Sequence, residues 1–156
     1  MTSGREIARA LRAAYLALHR RTNACLAQDG VTADQFVLLS ALADADAVNQ
    51  QELVRRINSD PNTVRAMLLL LENRGLVARD RHPADGRARS VTLTAKGRQV
   101  FKNLWAKSER LRARLLTAFR PDEATALVEL LRRAADVMAA NASDARRTSG
   151  AKGVRS

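Results

Sequence analysis

Between residues 50 and 93 the spacing of apolar residues passes from helical to strand-like, and this passage constrains the fold more than any other feature. Asn49-Gln50-Gln51-Glu52 is a cap-like start, and Leu53, Val54 and Ile57 then lie inside a short helix over 50–57. Ser59-Asp60-Pro61 opens a second helix, because proline suits the first helical position. Val64, Met67, Leu68 and Leu71 follow at i, i+3, i+4 and i+7, one apolar stripe, and Gly75 stops it. Helices over 50–57 and 61–74, joined by a turn of about three residues, have the spacing of a helix-turn-helix. Leu76-Val77-Ala78-Arg79 and Ser90-Val91-Thr92-Leu93 then predict two strands. Between them His82-Pro83-Ala84-Asp85-Gly86-Arg87 is rich in turn formers, so the pair is a hairpin with a basic tip.

The remaining segments are helical. Ala (29 residues) and Leu (21) dominate, with only 3% aromatic residues, seven Gly and three Pro, a composition that favours helix over an all-β sandwich. Ile7, Leu11, Tyr15 and Leu18 predict a buried stripe on a first helix over 5–27, closed by Gly30. Thr32-Ala33-Asp34-Gln35 is a capping box for a helix that places Phe36, Leu39 and Leu42 on one face. Thr94 caps a long helix with Val100, Phe101, Leu104, Trp105, Leu111 and Leu115 inward, and Phe119-Arg120-Pro121 breaks it. A final helix carries Leu127, Leu130, Leu131, Ala134, Val137 and Met138 at heptad-like spacing. The last sixteen residues carry a net +3 and one large apolar residue, Val154, and are expected to stay disordered.

Charge narrows the function. The chain holds 27 Lys+Arg against 16 Asp+Glu, a net +11. Residues 32–48 have three acids and no base, whereas 49–98 hold ten Lys+Arg against five acids. Basic charge clustered in one compact segment points to a polyanion. A single cysteine, Cys25, excludes an intramolecular disulfide, and with two histidines it leaves too few ligands for a usual structural zinc site. The longest run of large apolar residues, 67–71, is far short of a membrane span. The N-terminus lacks a signal peptide's apolar stretch, so a cytoplasmic, nucleoid-associated protein without cofactor is expected. No Gly-rich phosphate loop, HExxH or GxSxG is present, and no enzymatic activity is expected.

A helix-turn-helix followed by a hairpin is a winged helix, whose second helix is slim enough for the major groove of DNA. Opposite the apolar stripe of 61–74 lie Asn62, Thr63, Arg65 and Ala66. Arg65 is the expected base reader, with Asn62 and Thr63 contacting bases or phosphates, and the helix N-terminus also approaching phosphate. At the hairpin tip Asp85 is placed to pair with Arg87 and aim it into the minor groove, while Arg81 and Arg89 meet backbone phosphates.

Residues 63–81, the run Pro83-Ala84-Asp85-Gly86-Arg87-Ala88-Arg89 and the run Val91-Thr92-Leu93-Thr94-Ala95-Lys96-Gly97 resemble the MarR family of bacterial and archaeal regulators. The resemblance covers residues 7–138. It implies a mainly α fold with a small β-hairpin, a winged helix-turn-helix with a helical dimerisation region. It parses the chain into an N-terminal dimerisation helix (1–31), the DNA-binding domain (32–94), C-terminal dimerisation helices (95–141) and the basic tail (142–156). It further implies a homodimer on a palindromic site in double-stranded DNA, repression in most members, and release by a small, often phenolic or aromatic, anion in many. The family's recognition positions fall on Asn62, Thr63, Arg65 and Ala66, its wing acid and base on Asp85 and Arg87, and its backbone-approaching helix start on Asn49 and Gln50. Ala66, Leu69 and Leu70 depart from it, standing where relatives carry polar or basic residues.

By the same analogy Tyr15, His19, Phe36 and Trp105 line a ligand pocket, where aromatics near a histidine suit a planar anion; alternatively Tyr15, Phe36 and Trp105 are core residues on apolar stripes. Cys25, near the end of the first helix, is expected to be a small buried hydrophobe. Two other readings stay open: an architectural protein that coats DNA without preference, and a helical module that binds an acidic protein.

Overall fold

Side-chain caps open most of the helices of this chain, and tertiary packing decides which of their apolar stripes its own core covers. The computed structural model describes the backbone of residues 1–82 and 85–150, and the side chains of these except at 81–89 and 140–150. Ser3 and Glu6 form a capping box that opens α1 (Gly4–Leu26). A 3-10 turn, Ala27–Asp29, leads to Gly30 at φ 63°. Thr32 and Gln35 form the expected capping box at the start of α2 (Ala33–Ala43). β1 (Val48–Asn49) runs into α3 (Gln50–Arg56), where the Asn49 carboxamide oxygen accepts from the Glu52 amide at 2.8 Å. Asn58 turns the chain at φ 51°, a left-handed conformation that asparagine adopts more readily than most residues. α4 (Pro61–Asn73) follows, and Gly75 ends it at φ 70°.

β2 (Val77–His82) and β3 (Asp85–Leu93) form the antiparallel hairpin, in register from Val77 opposite Leu93 to Arg81 opposite Arg89. β1 pairs with the other edge of β3, Val48 opposite Val91, so the strand order is β1-β3-β2. α5 (Ala95–Lys107), α6 (Glu109–Leu116) and α7 (Pro121–Gly150) complete the chain.

The chain divides into two units, Met1–Leu111 and Arg112–Ser156. The first contains the core. Leu26, Leu38, Leu39, Leu42, Leu53, Val64, Leu68, Leu71, Val91 and Leu104 are each at most 1% exposed, and burying one such side chain stabilises the fold by roughly 1.5–3 kcal/mol. Polar ties fix the corners. Arg74 donates to the carbonyls of Gly30 (2.7 Å) and Asp29 (3.0 Å), and Lys107 pairs with Asp29 at 2.6 Å. The Thr94 hydroxyl donates to the Gly75 carbonyl at 2.6 Å and Lys96 to the Arg74 carbonyl at 2.9 Å, which joins the start of α5 to the end of α4.

Several expectations are corrected. The α1 stripe is not buried by its own chain: Ile7, Leu11, Tyr15 and Leu18 are 37–58% exposed, and α1 meets the core through buried Leu26 and half-buried Cys25. The amphipathic spacing was real, but α1 packs on the core through its C-terminal end. The long helix after Thr94 is two helices, separated at Ser108, whose hydroxyl donates to the Leu104 carbonyl at 2.9 Å. Leu104 points inward while Trp105 and Leu115 are 44% and 49% exposed. β1 has no signature in the sequence, because two residues have no periodicity.

In the second unit α7 starts at the predicted proline, and the Arg120 amide donates to the Glu123 carboxylate at 2.9 Å. It continues to Gly150, past the expected start of a disordered tail at 142, although Asn141, Ser143, Asp144, Thr148 and Ser149 are weak helix formers; extending a helix already nucleated costs far less than starting one. Leu130, Leu131, Val137 and Met138 on it are 43–68% exposed. Residues 151–156 of the basic tail lie outside the described residues.

Candidate nucleic-acid interface

The second helix of the helix-turn-helix is held by its apolar side and leaves its other side open. Val64, Met67, Leu68 and Leu71 of α4 are buried, whereas Asn62, Thr63, Arg65 and Ala66 are all exposed. Arg65 has no ion pair among the described residues. Gln50 is half-buried at the first position of α3.

The start of α4 differs from expectation. The Asp60 carboxylate accepts from the amides of Asn62 (3.0 Å) and Thr63 (2.9 Å) and from the Thr63 hydroxyl (2.5 Å). These amides are therefore satisfied within the protein instead of being offered to a phosphate, and the hydroxyl proton of Thr63 is already committed. The hydrogen bond from the Thr63 side chain, then that from its amide, holds the Asp60 carboxyl below the usual carboxylate range. A carboxyl whose folded value is lowered stabilises the fold above its unfolded value, and this stabilisation is lost as pH falls through the folded value. Asp60→Ala is accordingly expected to melt at lower temperature than the parent at neutral pH, Asp60→Asn to keep most of the cap, and the gap between parent and Asp60→Ala to close on acidification. Thermal unfolding across pH checks this; coincident neutral-pH melts of parent and Asp60→Ala would refute the cap's contribution.

Of the ten basic residues in 49–98, several are engaged internally. Arg55 (2.5 Å) and Arg56 (3.0 Å) share the Glu52 carboxylate, and hydrogen bonds from Arg55 first, then Arg56, lower its pKa. Arg79 pairs with Glu72, while Arg74 and Lys96 donate to backbone carbonyls. Charge counting had not separated these structural cations from an open one such as Arg65. In the hairpin, Arg81 and Arg89 are register partners, as are His82 and Asp85. The side chains of Arg81, Asp85, Arg87 and Arg89, and the expected Asp85–Arg87 pair, lie outside the described residues.

The four residues proposed for a ligand divide into two clusters. Phe36, Phe101 and Trp105 form an aromatic group with centroids 5.8–6.2 Å apart. Phe36 and Trp105 line an open cavity of about 510 Å³, together with Val37, Ser40, Ala41, Asp44, Arg56 and Ile57. That volume is within the range of small-molecule sites. Tyr15 and His19 are not among its lining residues. They contact each other (Oη to Nδ1 3.4 Å, rings 5.3 Å apart), and His19 Nδ1 is 3.8 Å from Asp34. Arg56, a cation suited to an acidic ligand, was missed because only the tertiary fold brings α3 to the aromatic group. Cys25 is half-buried against the core, its thiol 3.7 Å from the Lys107 carbonyl. Among the described residues no His, Cys, Asp and Glu cluster could hold a metal, and no helix is long and apolar enough to cross a membrane.

Comparison with known proteins agrees with this architecture. The model of the MarR family matches residues 31–88. The HTH-type transcriptional regulator YdgJ of Bacillus subtilis is 32% identical over 104 residues, 67% of this chain and 63% of that regulator, so the match spans just under two thirds of its length. The transcriptional repressor CouR, solved on a 23-mer DNA duplex, superposes with a TM-score of 0.73 at 31% identity over 81% of this chain and 89% of CouR. BpsR of Bordetella bronchiseptica, solved to explain regulation of its DNA binding by 6-hydroxynicotinic acid, gives a TM-score of 0.77 at 31% identity over 87% and 97% of the two chains. These relatives are regulators and not enzymes. A helix-turn-helix flanked by an antiparallel wing, matched over nearly the whole length of solved relatives, shows that the chain belongs to the MarR family of winged helix-turn-helix transcriptional regulators.

Proposed function

We propose that this chain binds double-stranded DNA sequence-specifically, as a homodimer on a palindromic operator, and represses transcription at the bacterial nucleoid. The observation that carries the reading is the open Asn62–Arg65 edge of a capped α4, with α3 before it and the β2–β3 wing after it. Arg65 reads base edges; Asn62, Thr63, Ala66 and Gln50 pack at bases or backbone; the wing residues Arg81, Asp85, Arg87 and Arg89 serve the minor groove and flanking phosphates. The exposed apolar stripes of α1 and of α7 support self-association, since a lone chain leaves them in water. A small aromatic or phenolic anion would sit in the Phe36–Trp105 cavity, draw Arg56 from Glu52 to its own charge, and release the DNA. Tyr15 and His19 belong to this proposal only if the second subunit or the ligand brings them to the cavity.

Operator selection from random DNA tests this. A selected duplex is expected to outcompete random DNA by at least about a thousandfold at physiological salt, with log affinity falling linearly against log salt. A ratio near unity would favour the architectural reading, and no retention on any duplex would defeat both. Phenolic acids added to the same assay are expected to lower affinity and to change the fluorescence of Trp105, the single tryptophan. DNA binding and Trp105 emission both unmoved across the acids would remove the ligand from the proposal.

A further inference from the structure

The ridge of α4 that faces furthest from the core is not polar along its length. With about 3.6 residues per turn, Asn62, Ala66, Leu69 and Asn73 fall on one line opposite Val64, Met67, Leu68 and Leu71. All four are exposed, Leu69 at 51%, with Leu70 beside it at 54%. An apolar side chain on such a ridge gains free energy only if something covers it. The surroundings specify the cover. The strip is one side chain wide, far smaller than the roughly 800 Å² per partner of a stable protein interface. Asn62, Asn73 and the unpaired Arg65 surround it, and the segment 49–98 holds twice as many bases as acids, which favours a polyanion. On a polyanionic duplex the apolar group displayed in the major groove is the thymine C5-methyl.

We propose that Ala66 and Leu69 read thymine through that methyl group, adding an apolar component to the hydrogen bonds of Arg65. This rests on α4 entering the major groove, as proposed above. Leu69 then prefers thymine over cytosine and uracil, which lack the methyl, at the base it faces.

The test uses the full chain and the duplex it selects, resynthesised with each thymine replaced in turn by deoxyuridine, a change that deletes only the methyl. Affinity at fixed salt is expected to fall about fourfold per methyl removed at the position facing Leu69, the ratio for unburying one methylene-sized group. Leu69→Ala is expected to lose a similar factor on the thymine duplex and no longer to distinguish thymine from uracil there. A flat deoxyuridine scan on a duplex still bound at full affinity overturns the proposal and leaves the DNA reading intact. So does full discrimination by Leu69→Ala. If Leu69→Ala changes the mass of the protein in solution with discrimination untouched, the ridge is a protein contact and the proposal fails. Failure to enrich any duplex overturns the DNA reading and this inference together.

Discussion

Gly97→Ala is expected to be among the most destabilising single substitutions in the chain. A Cβ at Gly97 would lie 1.9 Å from the Leu76 carbonyl oxygen and 2.9 Å from its carbon, both backbone atoms. Neither can rotate away, because the Leu76 carbonyl also accepts the Thr94 amide at 3.1 Å and Leu76 is 1% exposed. The first turn of α5 must withdraw from the start of β2, which breaks the Thr94–Gly75 and Lys96–Arg74 ties as well. Overpacking that moves backbone costs about 3 kcal/mol, or roughly 10 °C of melting temperature in a chain of this size. Thermal unfolding at one fixed protein concentration checks it, since self-association would make the melt concentration-dependent. Gly4→Ala is the control, because a Cβ there meets nothing within 4 Å. Equal melts for Gly97→Ala and Gly4→Ala would show that the helix–strand contact is not as close as described. The same contact fixes where the wing leaves the core relative to α4, so a folded Gly97→Ala is also expected to bind DNA less well.

Arg65→Ala is expected to reduce affinity for the best operator by about 1–3 kcal/mol, roughly five- to 150-fold, and to relax preference at one base pair. Arg65 is exposed on α4 and unpaired among the described residues, so its removal leaves no buried partner behind and stability should hardly change. Arg65→Lys separates charge from shape. It is expected to restore the slope of affinity against salt while failing to restore base preference, because an ammonium lacks the planar fork that matches guanine. Anisotropy titrations on the selected duplex and its single-base variants, at two salt concentrations, supply both readouts. If Arg65→Ala binds every variant as the parent does, Arg65 is not the base reader.

What was legible in the residues follows distance along the chain. The helix starts at Thr32, Asn49, Asp60 and Thr94 are side chains bonding amides two or three positions away, so a short window suffices to find them. Gly30 and Gly75 sit in the left-handed region expected of helix stops. The hairpin emerged from the change of period, and its strands proved longer than the four-residue runs that announced it. The exposure of Asn62, Thr63, Arg65 and Ala66 was legible because a stripe of four buried residues on a helix fixes its opposite side; that Asp60 takes the Asn62 and Thr63 amides was not.

Sequence alone therefore settled the order of the helix-turn-helix, the hairpin and the helices on either side, most of their boundaries and the face of α4 turned to solvent, since each depends on residues within a turn or two of one another. Tertiary structure decided the rest. It left the α1 stripe open, split the last part of the first unit at Ser108, added β1 to β3, and parted Phe36 and Trp105 from Tyr15 and His19. It also determined which cations are engaged: Arg74 reaches the Asp29 carbonyl across 45 positions and Lys107 reaches the Asp29 side chain across 78. Periodicity says that a stripe will seek cover and charge says that it will seek a counter-charge. Only the packed chain decides which partner is within reach.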